Sequence, residues 1–445
     1  MAVPLTGRFE AVWLLLVGSA YVYYLVLKLP KGVTRLLALT PLVPFYILVP
    51  WRGQTSSERW LMCFFFLWVS AFKIIMLAFD YGPAKDPWIM SSFPRFLTGM
   101  NFSMHINSDP LPKASSESQE QTADREEVSQ NISLTSGKNG TGLHSRKCRP
   151  RGNETANAGE EKRKAILAKE ESRGGESEGG GWMPGWLDSL TQSNDWRVVL
   201  LRCFLYLALF WLQRYINLAK LPTLILYFNF TVVMYFRILI VFELPAAIAG
   251  PIYKVELPAQ FNMPFFATSI AEFWGRRWNL LINNLLRISI YNPIIEAFSR
   301  RTGKRSSYQV KALGVLASFT VSGIMHEILF LYMSKKRPSF EVTMFFVLNG
   351  VGTLLESWLK RKKYYNPSKF VGWLVAFCFV FLTAAWLFYP PLIRNGTAMQ
   401  NREDLNRFVL WIQNLVFDSV MEVKSRFPSE RVGSELSRYF STATT

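Results

Sequence analysis

An all-α polytopic membrane protein with about seven to ten spans is the fold class the sequence predicts, and three observations predict it. Half of the 445 residues are hydrophobic and 15% are aromatic. Apolar runs recur at 12–27, 61–79, 198–212, 224–244, 312–333, 343–359 and 370–392, each approaching or reaching the roughly 20 residues that cross a hydrocarbon core. Mean hydropathy is +0.13, although one long stretch is almost wholly polar. A soluble chain of this length would instead divide into about two or three domains with alternating surface and core patterns.

The first run reads as an uncleaved span. Residues 1–8 carry little positive charge, and the run leads into Lys28 and a Pro-Lys-Gly turn without a small-residue cleavage site. The run at 36–49 is shorter and broken by prolines, which makes it a weaker span, and 93–106 is weaker still. The polar stretch, 107–181, is rich in Ser, Glu, Gln, Lys, Asn and Gly. Between Lys113 and Lys164 its large aliphatic residues are Val128, Ile132, Leu134 and Leu143, too few to offset the entropy of ordering it. The expected organisation is therefore N-terminal spans over 1–106, a disordered insertion over 107–181, and a larger group of spans with a polar tail over 182–445. Sequons at Asn131, Asn139 and Asn153 fit either a lumenal loop or chance matches in an Asn- and Ser-rich tract. His144 and Cys148 there read as solvated bystanders.

The net charge of +18 points to membrane lipid and anionic substrates rather than nucleic acid, because no nucleic-acid motif accompanies it. Cys63, Cys148, Cys203 and Cys378 have neither disulfide nor metal spacing, so no metal site is expected. The basic clusters 300–305, 335–337 and 361–363 are separated by two successive apolar runs. If both runs cross fully, the middle cluster lies opposite its neighbours. Otherwise one run is re-entrant or strongly tilted. Lys73, Arg237 and Glu243 are isolated intramembrane charges that snorkel or pair.

Two polar concentrations interrupt the apolar pattern. FTVSGIMHEILFLY at 319–332 places His326 and Glu327 in an apolar run, and the chain has three histidines in all. Ionisable groups at such depth mark function more often than structure. Ser322 and Phe330 share the helical face of His326, while Glu327 is rotated about 100° away. His326 is a general-base candidate or hydrogen-bonds a neighbouring helix. Glu327 orients a loop, pairs with an arginine or sits near an interface. A Ser322–His326 nucleophile dyad is disfavoured, because residues four apart on one helix seldom align for that transfer. The second concentration is AEFWGRRWN at 271–279, with Trp274, Arg276, Arg277, Trp278 and Asn279. Trp and Arg together also occur in interfacial anchors, but this stretch is more polar than anchoring requires. The amphipathic stretch 280–291 follows with Asn283, Asn284 and Arg287, and then RRTGKR at 300–305. The arginines form a basic approach suited to a polyanion at the membrane face. Gly-x-Ser-x-Gly, His-Glu-x-x-His, Walker A and dinucleotide fingerprints are all missing from the sequence.

FWGRRWN followed some forty residues later by SGIMHE resembles the membrane-bound O-acyltransferase superfamily, and within it the plant wax synthase branch. FKIIMLAFDYGP at 72–83, SFPRFL at 92–97 and FFVLNGVGTLLESWLKR at 345–361 carry the same resemblance, which omits the polar insertion. The resemblance implies a helical bundle around a tunnel in the endoplasmic reticulum membrane. It implies transfer of a fatty acyl group from acyl-CoA, a co-substrate rather than a cofactor, to a long-chain alcohol. A sterol or diacylglycerol acceptor is the alternative within the family. His326 and Asn279 fall at the family's active-site pair, and Trp274, Arg276, Arg277, Trp278 and Arg287 are candidates for contact with acyl-CoA. Glu327 and Ser322 are assigned supporting roles. The rival from another class is a proton-coupled transporter with His326 and Glu327 as relay. Neither an internal repeat nor paired Gly/Pro-broken helices of the transporter kind support it. The oligomeric state is not legible.

Overall fold

The computed structural model describes residues 6–82, 86–101, 196–215, 220, 222–253, 259–303, 307–397 and scattered positions between 399 and 421. The 107–181 insertion, its sequons, His144 and Cys148 lie outside the described residues.

Among the described residues, seven helices are long and apolar enough to cross a membrane. The N-terminal group is α1 (Glu10–Lys28), α2 (Val33–Trp51) and α3 (Ser56–Ala78), followed by the short amphipathic α4 (Phe93–Asn101). Helix α5 (Trp196–Tyr215, 20 residues) realises the 198–212 run and packs on α6 (Thr223–Tyr253). After a loop come α7 (Leu280–Leu286) and α8 (Asn292–Thr302). The spans α9 (Tyr308–Ser334), α10 (Glu341–Arg361) and α11 (Lys369–Arg394) complete the described bundle. These helices belong to one compact unit.

The proline-broken second run is a full span. Pro41 and Pro44 fall where a missing N–H costs little, while Pro50 lies inside the last helical segment. Pro41 lies in the first turn of the 3₁₀ segment Thr40–Leu42, and Pro44 in the first turn of Val43–Trp51. A 3₁₀ segment, Val26–Lys28, ends α1, and among the described residues four segments are π-helical, at Phe64–Ser70, Phe273–Arg277, Arg287–Tyr291 and Ala384–Phe388.

Helices α9 and α10 form the tightest pair, an antiparallel hairpin. At the turn end, a Cβ on Gly323 would lie 2.8 Å from Thr343 Cα. Mid-way, Gly350 meets Phe319. At the open end the Tyr308 hydroxyl donates to the Leu354 carbonyl at 3.2 Å, and Arg361 lies over the Tyr308 ring. The helices have 27 and 21 residues, or roughly 40 and 31 Å at 1.5 Å per residue. Both are long enough to cross, so Lys335, Lys336 and Arg337 lie at the opposite end of the hairpin from Arg361.

The isolated charges find partners within the bundle. Lys73 donates to the Gly99 carbonyl at 2.7 Å, Glu243 pairs with Arg202 from α5, and Arg237 donates to Ser57.

Candidate active site in a membrane-deep cavity

A cavity of about 640 Å³ opens among α3, α6, α7, α9, α10 and α11. Helix α9 gives it one continuous face: Val315, Ser318, Phe319, Ser322, His326, Leu329, Phe330 and Met333. The spacing is that of a single helical stripe, and the 18 steps from Val315 to Met333 rise about 27 Å, close to a hydrocarbon core of about 30 Å. Each of the four π segments also reaches the wall, through Phe64 and Trp68, Phe273 to Gly275, Arg287 and Tyr291, and Ala384 and Phe388. Such segments are frequent at functional sites.

His326 is half-buried on this wall. Its Nδ1 lies 2.8 Å from the Ser322 backbone carbonyl oxygen. A carbonyl only accepts, so Nδ1 carries the proton and the uncharged ring keeps its lone pair on Nε2. The ring is stacked on Phe346, with centroids 4.2 Å apart and planes 27° apart. Trp68 meets it nearly edge-on at 4.8 Å and 85°. Ser322 thus serves His326 through its backbone, the relation opposite to a nucleophile dyad.

Asn279 lies on the same cavity wall. The loop before it is clamped by paired backbone bonds, Asn262 N–H to the Arg277 carbonyl and Leu280 N–H to the Gln260 carbonyl, both 2.9 Å. The clamp ends with Asn279 in the left-handed region (φ 44°) as the N-cap of α7, a conformation asparagine tolerates better than most residues. Its Oδ1 accepts from Ile282 N–H at 3.3 Å. That leaves the amide NH₂ as the group this side chain has to offer a ligand.

The neighbouring polar residues separate into three sets. Trp274, Trp278 and Arg287 line the cavity. Trp274 Nε1 donates to Asn349 Oδ1 at 3.1 Å, and Trp278 is stacked on Phe273 at 5.6 Å and 14°. Arg277 is engaged inside the loop. It pairs with Glu272 at 2.7 Å and donates to the Asn262 and Met263 carbonyls. Burial alone would push the Glu272 carboxyl up, but hydrogen bonds from the Thr268 hydroxyl and N–H and from Arg277 outweigh it and hold the group below its ordinary value. Arg276 is exposed and off the cavity wall. Glu327, 4% exposed, accepts from the Val342 and Thr343 N–H groups at 3.0 and 3.2 Å. It satisfies the first turn of α10 from across the hairpin.

Trp68 on this wall and Asn349 behind it had no assigned role in the sequence reading. Trp68 is fully buried against His326. Asn349, at 0% exposure, holds Trp274 and donates to the Phe345 carbonyl and Thr383. A lone asparagine in the 343–359 run was the available signal for the second. An aromatic in an apolar run gives none.

Residues 257–348, which carry the clamped loop, Asn279, His326 and Phe346, match the Membrane bound O-acyl transferase family. Over that segment the chain resembles the membrane-bound O-acyltransferase family. Similarity extends well beyond that segment. The chain is 27% identical over 387 residues to the probable long-chain-alcohol O-fatty-acyltransferase 2 of Arabidopsis thaliana, covering 86% of this chain and 90% of that one. It is 27% identical over 403 residues to the long-chain-alcohol O-fatty-acyltransferase of Simmondsia chinensis, covering 89% and 92%. With the acyl-CoA–sterol O-acyltransferase 1 of Arabidopsis thaliana it shares 26% identity over 391 residues, covering 87% and 91%. The protein is thus a multi-pass membrane protein, and the matched segment supplies part of the cavity wall.

Proposed function

We propose that the protein transfers a fatty acyl group from acyl-CoA to the hydroxyl of a long-chain alcohol, forming a wax ester. The observation that carries this reading is the placement of His326 and Asn279 on one apolar cavity about as long as the bilayer is thick, with Nε2 of His326 as the basic nitrogen. A thioester is already activated, so the chemistry calls for no cofactor and no covalent enzyme intermediate. Nε2 takes the proton of the acceptor hydroxyl as its oxygen attacks the thioester carbonyl. The Asn279 amide donates to the developing oxyanion. The C–S bond breaks, and the CoA thiolate leaves and regains the proton from the imidazolium. General-base catalysis of this kind contributes about 10²–10⁴-fold, and one oxyanion donor about 10²–10³-fold. The apolar walls exclude water, which would otherwise compete as acceptor. Arg287, exposed at one end of the cavity, is the best placed of the predicted arginines to meet the CoA phosphates. We assign the protein to the endoplasmic reticulum membrane.

The second reading is a sterol acceptor, favoured by the near-equal similarity to a sterol acyltransferase. Expression in a yeast strain lacking its own neutral-lipid acyltransferases, with hexadecanol or sterol supplied, separates the two. Accumulation of wax ester supports the first reading, and accumulation of steryl ester alone replaces it with the second. His326→Ala at equal abundance is expected to abolish either product. Full ester synthesis by that variant would remove His326 as the base.

A further inference from the structure

Among the described residues, the cations packed inside the bundle have protein acceptors, and of those named below Arg237 alone also lines the cavity. Arg59 donates to the carbonyls of Gly53, Gln54, Tyr332 and Met333. Arg277 is held by Glu272, Asn262 and Met263, Arg202 by Glu243, and Lys73 by Gly99. Arg237 has a single hydrogen bond to protein, from Nη2 to Ser57 Oγ at 2.6 Å. Ser57 in turn donates through its N–H and hydroxyl to Asp404 at 3.1 and 3.0 Å. The guanidinium carbon stands 5.8 Å from the Trp60 ring centroid. A guanidinium has five N–H donors, and the remaining ones belong to a side chain that lines the cavity.

The position is specific. Ser56, next to Ser57, donates to the Met333 carbonyl, which puts Arg237 at the Met333 end of the α9 stripe. Arg287 stands at the other end, one turn before Tyr291, whose ring abuts Gly314. His326 lies between them, about 10 Å in rise from Met333. An arginine at this depth is expensive. That expense is retained at a cavity wall, beside an aromatic face and a serine–aspartate pair that orient the fork. This is the arrangement that binds a planar oxyanion.

We propose that Arg237 is an oxyanion-binding site at the end of the cavity opposite Arg287, holding the carboxylate or phosphate of an amphiphile whose chain occupies the apolar lumen. The shared chemistry is a negatively charged oxygen pair. A fatty acid carboxylate and a CoA phosphate are its two sources. The assignment concerns binding and is independent of the acyl-transfer reading.

Equilibrium binding of radiolabelled hexadecanoate, hexadecanol, coenzyme A and pantetheine to the full-length protein in nanodiscs tests it. Arg237→Gln is expected to weaken hexadecanoate by about tenfold or more while hexadecanol binding is unchanged. If coenzyme A loses that affinity instead, with pantetheine unaffected, the site stands and its source is the nucleotide phosphates. If neither anion weakens relative to its uncharged counterpart, the proposal is overturned. Should Arg237→Gln fail to fold, wild type and Arg237→Lys decide. An anion preference that narrows when the fork becomes a point charge supports the site. A wild type that binds both anions no better than their uncharged counterparts overturns it.

Discussion

The Ser322 carbonyl oxygen lies 2.8 Å from Nδ1 of His326, one helical turn along α9. This bond decides which nitrogen is basic, and it uses the serine's backbone rather than its hydroxyl. Ser322→Ala keeps the carbonyl and is expected to leave ester synthesis within about threefold of wild type. Loss of a true nucleophilic serine costs on the order of 10⁶ in kcat. Single-turnover assays on purified protein separate the two, and a loss of that size would reinstate the dyad.

Asn279 both caps α7 and presents its amide to the cavity, and a substitution separates these roles. Aspartate caps a helix as well as asparagine does and tolerates the left-handed backbone, but an ionised carboxylate donates nothing. Asn279→Asp is expected to keep the thermal stability of wild type while kcat falls by about 10²–10³-fold. A parallel fall in stability and activity would make the residue a cap alone.

Glu327 was grouped with His326 by adjacency, yet its carboxylate faces the first turn of α10. Glu327→Ala orphans one buried and one partly buried N–H group and is expected to destabilise the hairpin by about 1–3 kcal/mol. KM and kcat per folded molecule should stay near wild type. Thermal unfolding in detergent, combined with activity normalised to folded protein, reads both. A collapse of kcat at unchanged stability would give Glu327 a direct part in the chemistry.

The Glu272–Arg277 pair makes the clamped loop acid-sensitive. The Glu272 carboxyl is held below its ordinary value of 4.5, so the folded loop favours the charged form. The stabilisation is fully present above that value and is lost as pH falls through the lower folded one. Proteolytic nicking of the 259–280 segment is expected to rise in wild type as pH falls below the ordinary value of 4.5. In Glu272→Gln it should be raised already at pH 7 and depend less on acid.

The spans were legible because hydropathy is a local property, and even the proline-broken second span was visible as a weaker signal. Its strength was misjudged because composition does not tell whether a proline falls in a first turn, where Pro41 and Pro44 fall. His326 stood out because a polar group in an apolar run is conspicuous, and Asn279 through the family resemblance of its motif. The roles of their neighbours depend on contacts the sequence does not record. Arg277 is engaged by Glu272 within its own loop. Trp274 is held by Asn349, 75 positions away, and Trp68 reaches His326 from another span. The side chain that shapes a site is often chosen by packing between distant segments, and packing leaves no local pattern.

One substitution made in two helices tests whether the hairpin positions the site. On Gly323 a new Cβ would stand 2.8 Å from Thr343 Cα, which is backbone and has nowhere to retreat. Gly323→Ala must therefore push α10 away from α9, at about 1–3 kcal/mol for overpacking. Phe346, which stacks on His326, lies one turn beyond Thr343 and moves with it. Both the melting temperature and kcat should fall. On Gly18 of α1 the added methyl meets Leu42 Cδ2 at 3.5 Å, an ordinary contact. There alanine should raise stability, by up to about 1 kcal/mol of helix propensity, with activity unchanged. Equal tolerance of the two substitutions would mean that the α9–α10 contact is looser than the hairpin geometry requires, and that Phe346 is held by other neighbours.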